Sequence, residues 1–273
     1  NTEWIGVLVP SAFTLGALFL VYSILELPKK EQHSSVFLCG VIAIAFIFFM
    51  LLNLSFNSFS LFTKMYVDRE LTTMWGGQVT ESMQKLIMLP QKVPLAFFSG
   101  FSPVWILLIL PFYLFIRKIF LARNVPYFIP VSLALGFLSL AVGFAILALA
   151  RKFIFLDMAV SGKWVFVAYG CLALAEILII PQVLSLLSRF APSKILSFLM
   201  SFFMLCIALS HWLGGVILDT LLKVVGSVCM PGQISMGIYC DHFIVYSWIA
   251  FGITFLLFMS APFFKRFFVY ISQ

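Results

Sequence analysis

The stretch Trp164–Leu187 reads WVFVAYGCLALAEILIIPQVLSLL, and Glu176 is the only charged residue within it. A helix of about 20 apolar residues crosses the roughly 30 Å hydrocarbon core of a bilayer. The stretch is too long for a barrel strand, and it lacks the alternation of apolar and polar residues that such strands show. It therefore predicts a transmembrane helix, because only helices and closed barrels satisfy their own backbone in lipid.

Six further apolar runs have the same character: Trp4–Leu25, Val36–Phe62, Val93–Phe115, Tyr127–Ala150, Ile195–Ile217 and Phe243–Phe264. Of the 273 residues, 63% are hydrophobic and 10% are charged, whereas a soluble domain carries about 25% charged residues. A water-soluble globule of this size has too much surface to hide that apolar fraction. We predict an all-α polytopic membrane protein with about seven transmembrane helices, which excludes a cytosolic enzyme.

The net charge of +7 comes from cations that lie between the apolar runs. They form no basic stripe, so they indicate anchors at the membrane surface, and we predict no nucleic-acid partner. Nine of the 17 Lys and Arg fall in four short segments that total 37 residues: 26–35, 116–126, 188–194 and 265–273. The other eight are spread over 68 residues: 63–92, 151–163 and 218–242. Since the positive-inside rule weighs short loops most, we predict that the four short segments, including the C-terminus, are cytoplasmic.

Glu176 is the only acidic or basic residue within the seven runs. A charge at the centre of a bilayer costs several kcal/mol, so a carboxylate there usually faces a cavity or a partner. We expect Glu176 to bind a cationic group or to carry a proton. The alternative is a neutral carboxyl that is hydrogen-bonded to a neighbouring helix.

His211, in the run Ile195–Ile217, is the other titratable candidate within a span. It is either a proton relay or, more commonly for a lone His, a hydrogen-bond donor between helices. The chain contains no HExxH, GxSxG or Walker motif, and its five Cys show no metal-ligand spacing. We therefore predict no enzymatic activity, no cofactor and no metal site.

The run Glu176–Lys194, EILIIPQVLSLLSRFAPSK, resembles the tenth helix and following loop of the proton-dependent oligopeptide transporters. These form a branch of the major facilitator superfamily, with a pattern close to E-L-x-x-S-P-x-G-L-S-x-x-T-K-L-A-P. The positions that match in register are Glu176, Pro181, Leu184, Ser185, Ala191 and Pro192. Three other stretches resemble parts of the seventh, eighth and eleventh family helices: Ser58–Arg69, Phe101–Pro111 and Ala208–Gly215.

The resemblance implies the C-terminal half of a secondary active transporter. Residues 1–35 would form a preceding transmembrane helix and a cytoplasmic linker, and 36–273 the C-terminal six-helix bundle of a major facilitator transporter. The implied function is proton-coupled uptake of di- and tripeptides, or of a related amine-bearing solute, by alternating access. The implied partners are the solute, protons, the lipid bilayer of a plasma membrane (the inner membrane of a bacterium) and the N-terminal half of the same transporter. The alternative is a degenerate facilitator-fold protein with a structural or assembly role and no transport.

The resemblance also implies site residues. The family carboxylate that takes the peptide amino terminus falls at Glu176. Four other family positions hold different residues here: the seventh-helix Glu falls at Asn53, the eighth-helix Asn at Ser102, the tenth-helix Ser at Ile180 and the eleventh-helix Trp at Phe203. Asn53 cannot titrate, so another substrate, another coupling scheme and lost transport remain alternatives to standard proton coupling.

Overall fold

The computed structural model describes residues 3–68, 94–122, 128–150, 160–228 and 236–272. The elements within these ranges are α1 (Glu3–Leu25), α2 (Lys29–Tyr66), β1 (Val67–Asp68), α3 (Leu95–Ser99), α4 (Phe101–Ala122), α5 (Phe128–Leu149), β2 (Val160–Ser161), α6 (Gly162–Phe190), α7 (Leu196–Val228) and α8 (Met236–Ser272). Seven stretches of the described residues are helical, long and apolar enough to cross a membrane, with α3 and α4 forming one of them. The predicted all-α polytopic architecture is thereby confirmed.

Several helices extend beyond the apolar runs that predicted them. Helix α2 begins at Lys29, within the segment expected as a cytoplasmic linker, and has 38 residues. At 1.5 Å per residue it is about 57 Å long, so it projects from a roughly 30 Å hydrocarbon core. Glu31 lies in its first turn, where an acidic side chain suits the positive end of the helix dipole. The division of the chain at residue 35 stays a prediction.

An aromatic cluster forms the core where α2, α5, α6 and α8 meet. The ring centroid of Phe59 on α2 lies 5.8 Å from Phe144 on α5 and 5.7 Å from Tyr169 on α6. Phe243 on α8 lies 5.8 Å from the same ring. All four side chains are buried, and edge-to-face rings of this kind add stability beyond their apolar area. Helix α5 packs most extensively against α8 and α6, whereas α2 packs mainly against α7 and α6.

Side chains on one helix donate hydrogen bonds to backbone carbonyls on the next. On α5, the Ser132 hydroxyl donates to the Leu178 carbonyl of α6 at 2.9 Å, and the Ser139 hydroxyl donates to the Cys171 carbonyl at 2.8 Å. The Trp105 indole N–H of α4 donates to the Phe166 carbonyl at 2.9 Å. Such bonds hold helices together in lipid, where burial of apolar surface gives little drive for association.

A short parallel pair of strands fixes α2 beside α6. Val67 of β1 pairs with Val160 of β2, and Asp68 pairs with Ser161. Strand β1 continues directly from α2, and β2 leads directly into α6. In the first turn of α6 the backbone N–H of Lys163 donates to the Ser161 hydroxyl oxygen, which caps the helix. The end of α2 and the start of α6 are therefore tied at the same side of the bundle.

Candidate functional site

Glu176 lies on the face of α6 that approaches α2. Tyr169 and Val183, two helical turns on either side, share this face and are buried. The Tyr169 ring contacts Phe56 and Phe59 of α2, with centroids 5.8 and 5.7 Å apart. Glu176 itself is half-buried, and its carboxylate has no hydrogen-bond or ion-pair partner in the part of the chain that the structure describes. The described residues therefore do not support the alternative in which the Glu176 carboxyl is hydrogen-bonded to a neighbouring helix of this chain.

Asn53 joins α2 to α7. Its side-chain Nδ2 donates to the backbone carbonyl of His211 at 2.7 Å, and its Oδ1 accepts from Nδ2 of Asn57 at 3.2 Å. Gly214 makes this approach possible, because a Cβ there would lie 2.9 Å from Asn53 Nδ2. Asn53 thus serves as a cross-link between two helices.

The two helices also share an uncovered surface. One stripe of exposed or half-buried positions on α2 recurs every three or four residues: Met50, Asn53, Asn57, Ser60 and Lys64. One stripe of exposed positions on α7 does the same: Ser197, Ser201, Met204, Ala208, His211 and Gly215. Because the bond from Asn53 to His211 connects the two stripes, they form one continuous surface, which we call the open face. Apart from Met50 and Met204, it carries polar, charged or small side chains, so it suits water, a polar solute or closely packed helices.

The other predicted site residues lie in different surroundings. Phe203 is buried on α7, and its ring centroid lies 6.2 Å from that of Phe49 on α2, one turn from Asn53. Ser102 is buried in the first turn of α4, and Ile180 is half-buried against the apolar core. The structure therefore brings Asn53, Phe203 and His211 together at the contact between α2 and α7. No hydrogen bond among the described residues connects Glu176 or Ser102 to that group.

Two buried polar groups were not among the predicted site residues. On α6, the side-chain Nε2 of Gln182 donates to the Tyr113 hydroxyl of α4 at 2.8 Å, and both side chains are buried. The Tyr169 hydroxyl faces Ser60 of α2 and has no hydrogen-bond partner among the described residues. Gln182 could have been identified from the sequence, because it carries the single side-chain amide in the apolar run Trp164–Leu187. Over the described ranges, no three His, Cys, Asp or Glu side chains come together as a metal site.

The sequence profile of the POT family matches residues 59–234, which is more than half of the chain. The chain belongs to the POT family. A search of curated protein sequences finds no match to the chain.

Solved structures of POT transporters have the same fold. The chain superposes on tetrameric PepTSo2 with a TM-score of 0.73 at 19% identity, over 98% of this chain and 50% of that one. It is also similar to a POT family transporter in complex with 5-aminolevulinic acid, with a TM-score of 0.70 at 18% identity, over 97% and 49% of the two chains. A peptide transporter POT in complex with sulfate gives 0.70 at 15% identity, over 96% and 48%. The chain thus spans about half the length of the transporters it matches.

Substitution of Gly214 tests the close contact between α2 and α7. Gly214→Ala places a methyl group against the Asn53 amide, so we expect it to break the bond to the His211 carbonyl and to lower the free energy of unfolding by about 1 kcal/mol. Thermal unfolding of the purified protein measures the change. In an Asn53→Ala background the glycine substitution should cost much less, because the bond is already lost.

Gly215→Ala is the matched control, since a Cβ at Gly215 meets nothing within 4 Å. Equal melting temperatures for the two alanine variants would contradict the close contact between Asn53 and α7.

Proposed function

We propose that this chain forms one half of a secondary active transporter that takes up small peptides or related amine-bearing solutes by alternating access. The observation that carries the proposal is the half-buried carboxylate of Glu176, which has no partner among the described residues, inside a membrane-spanning bundle of the POT family. In superfamily members built from two halves, the substrate site lies between them. The open face and Glu176 would then form one wall of the site, and the other half of the transporter would supply the opposite wall.

The proposed role of Glu176 is to bind the amino group of the solute. An ammonium group bonded to a carboxylate away from bulk water is among the stronger polar contacts in proteins. No cation of this chain within the described residues competes for Glu176. One related transporter has been solved with 5-aminolevulinic acid and another with a thioalcohol-conjugated peptide, and the first of these ligands carries a free amino group. Amine recognition by Glu176 is consistent with solutes of that kind.

The proposed coupling differs from a scheme that uses a carboxylate on α2. Asn53 cannot hold a proton, and its amide is already bonded to His211 and Asn57. A proton and an ammonium group that competed for the Glu176 carboxylate would give exchange instead of uptake, so uptake needs a second group that holds the proton while Glu176 holds the solute. The His211 ring, exposed on the open face, is the candidate for that group in this chain, and the other half of the transporter is the alternative source.

The proposed orientation places the C-terminus in the cytoplasm and the protein in a plasma membrane. The turn between α6 and α7 supports it, because Arg189 and Lys194 are both exposed at that end of the bundle and cations at short loops favour the cytoplasmic side.

Substitution of Glu176 tests the binding role. Glu176→Gln retains size and hydrogen-bonding capacity but removes the charge, so we expect solute binding by the full-length transporter to weaken by more than about 1 kcal/mol, or roughly fivefold or more in Kd. Equilibrium binding of a dipeptide to the purified protein measures this. Glu31→Gln, at the start of α2, is the matched acid-to-amide control and should leave Kd unchanged. Wild-type affinity in Glu176→Gln, with an unchanged melting temperature, would assign Glu176 a structural role.

Cysteine labelling tests the orientation. Ser193→Cys, in the exposed turn between α6 and α7, is introduced into a variant from which the five native Cys have been removed. With an impermeant maleimide we expect labelling only after the membrane is opened, because the turn should face the cytoplasm. Labelling from outside intact cells would reverse the orientation.

A further inference from the structure

An apolar groove of about 640 Å³ lies between α4 and α5, away from the open face. Both helices pack against α6 but hardly touch one another, so α6 forms the floor of the groove. Ile109, Tyr113 and Ile116 line the α4 wall, and Val131 and Val142 mark the two ends of the α5 wall.

The groove is separate from the proposed solute site. The floor includes Leu174 and Leu178 of α6, and each of these is two residues from Glu176 in the sequence. At about 100° per residue, two residues turn the helix by about 200°. The floor therefore lies on the side of α6 opposite to Glu176.

The hydroxyl groups in the groove walls each take part in a hydrogen bond within the protein. The hydroxyls of Ser132 and Ser139 donate to carbonyls of α6 at 2.9 and 2.8 Å. The Tyr113 hydroxyl accepts from the Gln182 side chain at 2.8 Å. The remaining lining residues are aliphatic or aromatic apart from Cys171. A polar solute would lose its hydrogen bonds to water here and find few replacements, so the groove suits a hydrocarbon chain.

A free cation lies at one end of the groove. Arg117 directly follows the lining residue Ile116 and is half-buried, and Lys118 beside it is exposed. Arg117 has no acidic partner among the residues that the structure describes. A guanidinium group favours phosphate, which it can bind through two parallel hydrogen bonds. The α5 wall, from Val131 to Val142, is about 16 Å long at 1.5 Å per residue, so it offers a long hydrocarbon surface next to that cation.

We propose that the groove holds an acyl chain of an anionic glycerophospholipid whose phosphate binds Arg117. The occupant follows from three features together: a wall whose hydroxyl groups are bonded to α6, a cation next to its end with no acidic partner among the described residues, and a position in a helix bundle that spans a bilayer. The groove shares no residue with Glu176 or the open face, so the lipid site is separate from the proposed solute site.

Native mass spectrometry of the full-length protein in detergent tests the proposal. The probes are phosphatidylglycerol and phosphatidylcholine with identical acyl chains, added at equal concentration. We expect the wild type to retain phosphatidylglycerol several-fold more than phosphatidylcholine. Arg117→Gln should remove that preference and Arg117→Lys should keep part of it. Arg189→Gln, an exposed cation at the same end of the bundle, is the matched control and should keep all of it.

A groove-filling substitution tests where the chain lies. Val142→Trp should reduce the retention of both lipids several-fold, whereas Val245→Trp on the exposed face of α8 should not. Melting temperatures that match the wild type show that the variants are folded. Unchanged retention in Val142→Trp, or equal effects of the two Arg→Gln variants, would overturn the proposal. Loss of an oligomer in Val142→Trp, without loss of lipid, would instead assign the groove to a second copy of the chain.

Discussion

Hydrocarbon offers no hydrogen bond to a backbone N–H or C=O, and the architecture of this protein depends on that constraint. Each of the seven candidate spans is a helix, which satisfies its own backbone. The contacts between helices then use what the backbone leaves available, because serine, asparagine and tryptophan side chains donate to carbonyls of the neighbouring helix. Aromatic rings fill the core between α2, α5, α6 and α8, and the polar groups that remain unsatisfied in this environment are the ones expected to have a function.

Two adjacent regions of the bundle follow from this constraint. The contact between α2 and α7 includes a hydrogen bond from the Asn53 amide to the His211 carbonyl, and the Asn53 oxygen accepts from Asn57 on its own helix. The contact between α2 and α6 holds Glu176 half-buried with no partner among the described residues. One polar side chain therefore stabilises the bundle and the other remains available for a ligand. On the opposite side of α6, the walls of the groove bond their own polar groups and present hydrocarbon.

Much of the fold could be predicted from the sequence, because runs of apolar residues determine where a helix can lie in a bilayer. Helix α2 begins earlier than its apolar run, since Lys29, Lys30 and Glu31 are good helix formers that end the hydropathy signal without ending the helix. Glu176 could be identified because a lone charge in an apolar run is conspicuous. The role of Asn53 could not be predicted, because its partner is the backbone carbonyl of His211. Every residue has a backbone carbonyl, so the sequence does not indicate which one accepts a hydrogen bond.

The central claim is that this half of a POT-type bundle belongs to a working, proton-driven carrier. The most direct measurement is uptake of a radiolabelled dipeptide by proteoliposomes that contain the full-length protein, with and without an imposed proton gradient. The account predicts accumulation inside the vesicles when the outside is more acidic, and only slow equilibration when the gradient is collapsed. Uptake that is absent in both conditions would contradict the account and would indicate a facilitator fold that has lost transport.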